Sequence, residues 1–359
     1  MSTDTAIPTD RPSRRRGRKV RTRGQRVRRA IGWTLLAVVL VTGGTGWWLY
    51  DRLNSNLGNG IDLDKALGDD RPEKLPTSGQ NLLILGSDTR SGENADLAGG
   101  DSSGLADTTM VVHIPEGRSK AVSVSIPRDT LVTRPECPAK DGSTLPAKER
   151  VMFNSLYPTG GPACVLKTVE HMSGVRIDHY IEVDFAGFAS LVDAIGGVTV
   201  EVDQPIKDSK TGLDLSVGSH RLNGRESLAF VRTRHGVGDG SDLGRIGLQQ
   251  QFMLALLAEV RKQDLLGSPT KAYKIANAAT KSLTTDSAIS SLTSLAEFGR
   301  SMQGVNPDTM ETLMLPVEYD KLEPARVVAV EPRASALWKA IKEDGEIPES
   351  AKKSPASGG

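Results

Sequence analysis

Arginines and aspartates recur along the sequence in short segments whose chemistry suits phosphate. Five arginines and four aspartates belong to the set, namely Asp88, Arg90, Asp107, Arg128, Asp129, Arg232, Arg234, Asp242 and Arg245. An arginine guanidinium donates hydrogen bonds to two phosphate oxygens at once, and paired carboxylates hold a hard cation that phosphate can share. If the fold brings these segments together, they predict a metal-assisted pyrophosphate site.

The first part of the set should meet at one edge of a sheet. Three short apolar or β-branched runs bounded by turn residues predict strands at 81–86, 108–114 and 121–126. The short link at 115–120 allows antiparallel pairing but no parallel crossover. The loop at 87–106 is rich in Gly, Ser and Asp without helical periodicity, so a crossover helix is not expected there. The resulting meander places Asp88, Asp107 and Arg128 at the same edge.

The rest of the set lies on elements of the second half. The patterns predict a strand at 179–184, a helix at 185–195, a strand at 198–202, a helix from 223 to about 232, a helix over 243–265, strands at 312–317 and 327–330, and a helix ending near 343. Asp242 can cap the long helix, on which Arg245 and Gln249 share a face. Arg232 and Arg234 flank that face if the intervening loop folds back. The element order predicts a three-layer α/β/α domain with a mixed central sheet.

The N-terminal residues predict the compartment. Residues 11–29 carry eleven Lys and Arg and no acid, and they run into the uncharged apolar stretch 31–50. That stretch is long enough to span a bilayer, with Trp47, Trp48 and Tyr50 marking the far interface. By the positive-inside rule the basic tail is cytoplasmic and the domain is outside the cell. A cleaved signal peptide is disfavoured because no Ala-x-Ala site follows.

Five regions follow from composition. They are a basic cytoplasmic tail at 1–30, a single transmembrane signal-anchor at 31–50, an extracytoplasmic linker at 51–79, a catalytic domain at 80–344 and a disordered tail at 345–359. Without residues 1–29 the chain holds 34 Lys and Arg against 42 Asp and Glu, a net charge of −8. This acidic balance argues against nucleic-acid binding outside the membrane. Cys137 and Cys164 are candidates for a structural disulfide in an oxidising compartment.

Several ordered motifs resemble the LytR-CpsA-Psr family of membrane-anchored cell-wall glycopolymer ligases. They lie at 81–90, 107–108, 124–129, Asn154 with 160–162, 183–200 and 222–251. The resemblance implies a phosphotransferase that moves a glycopolymer phosphate from a polyprenyl-pyrophosphate carrier onto peptidoglycan, typically a muramic acid hydroxyl, with Mg²⁺. Attachment of teichoic acid or arabinogalactan is the implied kind of wall assembly, and the implied partners are the carrier-linked glycan, the peptidoglycan acceptor and the membrane.

The resemblance also assigns roles by position. The implied catalytic residues are Asp88, Arg128, Arg232, Arg234 and Arg245; the implied substrate-binding residues are Arg90, Asn154, Asp242 and Gln249; and the implied metal ligands are Asp88 and Asp107. Two positions depart from the family pattern. Leu105-Ala106 replaces an Arg-Ser pair before the second aspartate, and Leu248 replaces an arginine before the glutamines.

Other interpretations of these residues remain open at this point. Hydrolysis of the pyrophosphate by water is one alternative, and a non-catalytic scaffold that binds polyprenyl-phosphate glycans is another. The pair Asp88 and Asp107 favours an enzyme, because capture of an anion requires arginines but no carboxylates. The Gly100-Asp-Ser-Ser-Gly104 run fits a serine-hydrolase pattern, yet it lies in a Gly-rich loop and not at a strand-to-helix turn. The five histidines have no metal-ligand spacing.

Overall fold

The structure is a computed structural model, which describes residues 23–58, 60–88, 105–118, 120–234, 242–263 and 267–353. The helices are α1 (Arg23–Asn54), α2 (Leu63–Leu67), α3 (Leu156–Ser173), α4 (Phe185–Ile195), α5 (Gly224–Arg232), α6 (Asp242–Arg261), α7 (Pro269–Ser282), α8 (Leu292–Ser301) and α9 (Arg333–Lys342). The strands are β1 (Gln80–Ser87), β2 (Ala106–Ile114), β3 (Val122–Ser125), β4 (Leu131–Arg134), β5 (Cys137–Pro138), β6 (Thr144–Leu145), β7 (Lys148–Met152), β8 (His179–Asp184), β9 (Val198–Val202), β10 (Ile206–Asp208), β11 (Leu213–Leu215), β12 (Gly218–Leu222), β13 (Leu283–Thr285), β14 (Glu311–Met314), β15 (Val317–Tyr319) and β16 (Val327–Ala329).

The chain forms two compact units, residues 1–51 and residues 52–359. In the first unit, α1 is exposed along its apolar stretch. Residues Ile31–Asn54 are long and apolar enough to cross a bilayer. This is the single membrane-spanning candidate among the residues described, as the sequence predicts.

A mixed six-stranded sheet in the order β13-β8-β1-β2-β3-β14 organises the second unit. β1, β2 and β3 pair antiparallel, so the predicted meander is confirmed. β8 runs parallel to β1, with Ser87 opposite Asp184, and β14 runs parallel to β3. The C-terminal ends of β1 and β8 therefore lie at the same edge of the sheet.

Helices cover both faces of this sheet. Leu83 and Leu85 of β1 face the first core cluster, which includes residues of α3 and α9. The alternate residues Leu82 and Ile84 face the opposite way and pack in a cluster with residues of α6 and α8. This alternation has the period of two that a strand imposes, and it confirms the three-layer α/β/α architecture.

A second core cluster lies among α4, β9, β12, α5 and α6. Its buried residues include Val192, Val198, Phe230 and Phe252. Asp184 caps α4 by accepting a hydrogen bond from the Gly187 amide at 2.7 Å. The two clusters together position the elements that carry the arginines.

Two predicted regions differ from the structure. The segment at 51–79 is not an extended linker over its described residues, because Leu63 and Leu67 are buried against the first core cluster. Arg71 is buried as well, and its Nη2 lies 2.7 Å from Glu170 Oε1. This buried ion pair joins the segment to α3, and loss of either partner would leave an unpaired buried charge.

The predicted C-terminal tail also differs. Ile347 and Ala351 pack in the first core cluster, and residues Glu349–Ala351 form a short 3₁₀ turn. The prediction of disorder is therefore wrong for residues 345–353, and residues 354–359 lie outside the described part. The strand predicted at 312–317 is divided between β14 and β15 at Pro316, which has no amide hydrogen to continue a ladder.

A disulfide joins Cys137 to Cys164. It connects β5 to α3 and is buried. Gly160 precedes Cys164 by one turn, and a Cβ added there would lie 2.3 Å from the Cys164 Cβ. The Gly160-Gly161-Pro162 motif therefore makes room for the disulfide.

Candidate phosphate site

Asp88, Asp107 and Arg128 come together at one edge of the central sheet. The Asp88 amide donates to the Leu105 carbonyl at 2.9 Å, which fixes the end of β1 against the start of β2. The pairing of β1 with β2 shifts register between Gly86 and Ser87. Arg128 follows β3 and donates from Nη1 to Asp107 Oδ1 at 2.8 Å. The meander therefore brings together residues at the ends of three successive strands.

The backbone around Arg128 is anchored on both sides. The Arg128 carbonyl accepts from the Asn154 amide at 3.0 Å. The Arg128 Nε lies 3.7 Å from Asp129 Oδ2, and Asp129 also receives Arg326 Nη1 at 3.0 Å. Asn154 is 5% exposed, and within the described part of the chain its side-chain Oδ1 has no hydrogen-bond donor. Asn154 thus supports the Arg128 turn through its backbone and leaves a buried acceptor beside it.

Arg245 of α6 joins the second half of the chain to this edge. Its side chain is buried, and Nη2 donates to the Asp107 carbonyl at 2.9 Å. One turn later Gln249 donates from Nε2 to the Val231 carbonyl at 3.1 Å, which ties α6 to the end of α5. The predicted shared face of Arg245 and Gln249 is therefore present, and both residues bridge neighbouring elements.

A cavity of about 220 Å³ lies between these elements. It is lined by Asp107, Thr108, Phe185, Asp208, Lys210, Thr211, Val231, Arg232, Arg234, Arg245 and Gln249. The guanidinium carbon of Arg232 lies 4.7 Å from the centre of the Phe185 ring. A cation–π contact of this kind holds a guanidinium in place while its N–H groups remain able to donate. Three arginines and one lysine outnumber the two aspartates in this lining, so the space is suited to an anion.

The β10–β11 hairpin contributes residues that the sequence analysis missed. Asp208 is 2% exposed and accepts from the amides of Arg234 at 3.2 Å and Lys210 at 2.9 Å. It thereby joins the hairpin to the segment that carries the arginine pair. A local signal was available, because Lys207-Asp-Ser-Lys-Thr-Gly212 is a polar turn sequence between the apolar residues Ile206 and Leu213, with Gly212 at φ +74°.

A buried carboxylate supports the same edge from one face. Glu182 of β8 accepts hydrogen bonds from the hydroxyls of Tyr157 on α3 and Tyr180 on β8. Burial, together with the charge of Glu182, raises the pKa of both tyrosines. The hydroxyls therefore remain protonated donors across the physiological range. This network fixes α3 to the sheet two residues before β8 ends.

Some residues singled out in the sequence lie outside the described part of the chain, and others are buried in packing positions. Arg90 lies outside the described residues, as do Gly100–Gly104 and His235, and Asp242 begins α6 with its side chain outside them. Leu248, one of the two departures from the family pattern, is buried in the second core cluster. In the other departure, the pair Leu105-Ala106, Ala106 is 1% exposed and Leu105 is half-buried. Both positions here serve packing.

The carboxylates at the edge suit a magnesium ion that is shared with substrate. Among the described residues no group of three His, Cys, Asp or Glu side chains is arranged to hold a metal. Mg²⁺, however, commonly binds through one or two carboxylates together with substrate phosphates. Asp88, which is 5% exposed, and Asp107 provide such a pair beside the arginines. The donor set therefore fits a cation that requires the phosphate for its remaining ligands.

Comparison with curated proteins reveals relatives that share most of this domain. The probable cell wall biosynthesis protein LcpB of Corynebacterium glutamicum is 33% identical over 250 residues, which cover 68% of this chain and 53% of LcpB. The polyisoprenyl-teichoic acid–peptidoglycan teichoic acid transferase TagU of Oceanobacillus iheyensis is 30% identical over 269 residues, which cover 71% of this chain and 76% of TagU. The chain spans about half the length of the first curated relatives that it matches.

Solved structures show the same fold. The structure of TagV from Bacillus subtilis has a TM-score of 0.57 at 24% identity, covering 76% of this chain and 100% of TagV. The LytR-Csp2A-Psr enzyme from Actinomyces oris has a TM-score of 0.57 at 23% identity, covering 79% of this chain and 96% of its own. The profile of the LytR_cpsA_psr family matches residues 55–343. The chain therefore belongs to the LytR_cpsA_psr family.

Proposed function

We propose that this protein is a phosphotransferase of cell-wall assembly. Its donor is a glycopolymer on a polyprenyl-pyrophosphate carrier, and its acceptor is a hydroxyl of peptidoglycan, typically that of muramic acid. The contact of Arg128 with Asp107, which Arg245 also contacts beside the cavity, carries the proposal. A relative that is 30% identical bears the name of a teichoic acid transferase, which supports the same reaction class.

The arginines supply the binding energy for the pyrophosphate. A pyrophosphate diester carries two negative charges, and Arg128, Arg232, Arg234 and Arg245 place four positive charges around the site. Their positions are set before substrate binds, by Asp107 for Arg128 and by Phe185 for Arg232. Groups that are already oriented toward the developing charge lower the barrier more than mobile ones do. The clamp therefore stabilises the transition state and not only the bound carrier.

The reaction transfers one phosphoryl-linked glycan. The acceptor oxygen forms a bond to the sugar-linked phosphorus, the bond from that phosphorus to the bridging oxygen breaks, and polyprenyl phosphate leaves. The acceptor hydroxyl loses its proton, and Asp88 is the carboxylate at the edge that can take it. Mg²⁺ held by Asp88 and Asp107 with the carrier phosphates would supply charge neutralisation.

The proposed location follows from the N-terminal region. The basic residues at 11–29, which precede the apolar stretch 31–50, favour a cytoplasmic N-terminus and place residues from about 55 onward outside the cell. The buried disulfide between Cys137 and Cys164 supports an oxidising compartment. An external site has no ATP, so the pyrophosphate bond of the carrier would drive the transfer.

A transfer assay with the full chain in detergent tests the proposal. The substrates are a short-chain polyprenyl-diphospho-disaccharide, peptidoglycan fragments and Mg²⁺, and the readouts are polyprenyl phosphate and fragment-linked glycan. We expect acceptor-dependent release of polyprenyl phosphate with glycan joined to the fragment. Release without a joined product would identify a pyrophosphatase, and tight binding without release would identify a scaffold.

Two variants make the assay specific for the site. Arg128→Gln should lower the rate by about 100-fold or more, the loss typical for removal of one oriented charge donor. Arg225→Gln is the matched control, because Arg225 is an exposed arginine in the first turn of α5, at the end of that helix opposite to Arg232. Equal rates for both variants would refute the role of Arg128.

A further inference from the structure

Helix α7 has an exposed surface that is uniformly basic. It contains Lys271, Lys274 and Lys281 and no acidic residue, and all three lysines are exposed. Within the described part of the chain none of the three has an ion-pair partner. The chain after residue 29 carries a net charge of −8, so this surface stands out against an acidic background.

The same helix is bound to the segment that follows the candidate membrane span. That span ends at Asn54. Asn56, two residues later, donates from Nδ2 to Asn277 Oδ1 at 3.3 Å and to Thr280 Oγ1 at 3.1 Å, both on α7. Two residues of extended chain cover at most about 7 Å. Chain connectivity therefore keeps part of α7 close to the last residue of the span.

A cavity of about 620 Å³ opens between α7 and α4. Lys274, Lys281 and Asn277 line it from α7, and Asp184, which caps α4, and Asp193 of α4 line the other side. Both aspartates are engaged with backbone amides, Asp184 with Gly187 at 2.7 Å and Asp193 with Gly224 at 2.8 Å. The lysines are thus the cationic side chains of this lining, with N–H donors for an external anion.

We propose that α7 docks on the membrane surface and that the lysines lining its cavity bind the headgroups of anionic phospholipids. Phosphodiester headgroups complement the three lysines, and a basic residue near an anionic bilayer contributes favourably only within a Debye length. The tether through Asn56 keeps α7 within that range. This inference rests on the membrane location proposed above and not on the transferase activity. Docking at this helix would fix the height of the phosphate site above the lipid that carries its substrate.

Amide hydrogen exchange of the full chain in lipid nanodiscs tests the docking. One set of discs contains phosphatidylcholine alone and the other contains about 30% phosphatidylglycerol. We expect the amides of residues 269–282 to exchange about fivefold more slowly in the anionic discs and to lose this protection in high salt. Exchange that is the same in both discs would overturn the proposal.

Variants and a free anion complete the test. The triple change Lys271→Gln, Lys274→Gln and Lys281→Gln should abolish the lipid-dependent protection. The matched triple Lys65→Gln, Lys321→Gln and Lys342→Gln removes the same charge from exposed lysines elsewhere and should retain it. Protection that survives the α7 triple change would refute the docking. So would equal protection by inorganic phosphate in neutral discs, which would indicate a general anion site.

Discussion

Replacing Asp107 with asparagine separates the chemistry of the site from its stability. The change keeps the size of the side chain and removes its charge. Asp107 Oδ1 accepts from Arg128 Nη1 at 2.8 Å, while its carbonyl accepts from Arg245 and is not altered. Asp107→Asn therefore weakens one charged contact and leaves the rest of the clamp attached.

The loss of unfolding free energy depends on how exposed the Arg128–Asp107 pair is. A hydrogen bond between charged groups stabilises a fold by roughly 1.5–3 kcal/mol. The two side chains are 19% and 21% exposed, so solvent screening reduces this to about 1–2 kcal/mol of unfolding free energy. A domain with a stability of about 5–15 kcal/mol remains folded after such a loss. Because the variant stays folded, a loss of activity would come from the site itself and not from unfolding.

The expected effect on turnover is larger. If Asp107 both orients Arg128 and binds the cation, the initial rate of polyprenyl phosphate release should fall by about 100-fold or more, equivalent to about 2.7 kcal/mol of activation free energy. Urea denaturation provides the stability of the same preparations. Asp129→Asn is the control, since Asp129 lies 3.7 Å from Arg128 Nε but accepts its hydrogen bond from Arg326 Nη1. An Asp107→Asn rate within about threefold of the wild-type rate would show that Asp107 neither orients Arg128 for the reaction nor binds the cation.

Three further predictions concern the fold. Gly187→Ala should destabilise the domain by about 1–3 kcal/mol in urea denaturation, because the new Cβ would lie 2.8 Å from the Ser282 Cβ, whereas Gly247→Ala, with nothing within 4 Å, should not destabilise it. Burial lowers the pKa of His113 from its ordinary value of 6.5, although Asp344 opposes the shift. As the pH falls, the unfolded chain therefore binds a proton at this histidine before the folded chain does, and the free energy of unfolding should decrease below about pH 6.5. His113→Gln should reduce this dependence of the unfolding free energy on pH, measured by urea denaturation at several pH values. Reduction of the disulfide, whose cysteines are 27 residues apart, should cost about 3–4 kcal/mol, measured by denaturation with and without dithiothreitol, and an unchanged midpoint would contradict this.

The sequence predicted those parts of the fold that local signals specify. Helix α4 and strand β9 match their predicted bounds, because Gly196, at φ +93°, ends the helix and apolar alternation marks the strand. The edge shared by Asp88 and Arg128 followed from loop lengths alone. Such features depend on neighbours in sequence and on simple strand order.

The features that the sequence analysis missed depend on distant partners. Arg71 lies 99 residues from Glu170, so the charges of the segment at 51–79 gave no sign of burial. Asp208 was missed because its role depends on the Arg234 amide, 26 residues away. An isolated aspartate in a turn is usually explained by the turn itself. The cavity beside it arises only when the hairpin and α5 are packed together.

The site lies at the seam between two hydrophobic cores. Asp107 lies in the sheet that faces the first core cluster, and Arg128 follows β3 of the same sheet. Arg232 ends a helix whose Phe230 lies in the second cluster. A phosphate ligand that contacts residues on both sides of this seam binds only the folded protein, so its binding increases the free energy of unfolding. At 100 times its dissociation constant it would add about 2.7 kcal/mol, or about 5 °C in melting temperature. Thermal shift could therefore identify carrier analogues and inhibitors of this protein before any substrate has been prepared.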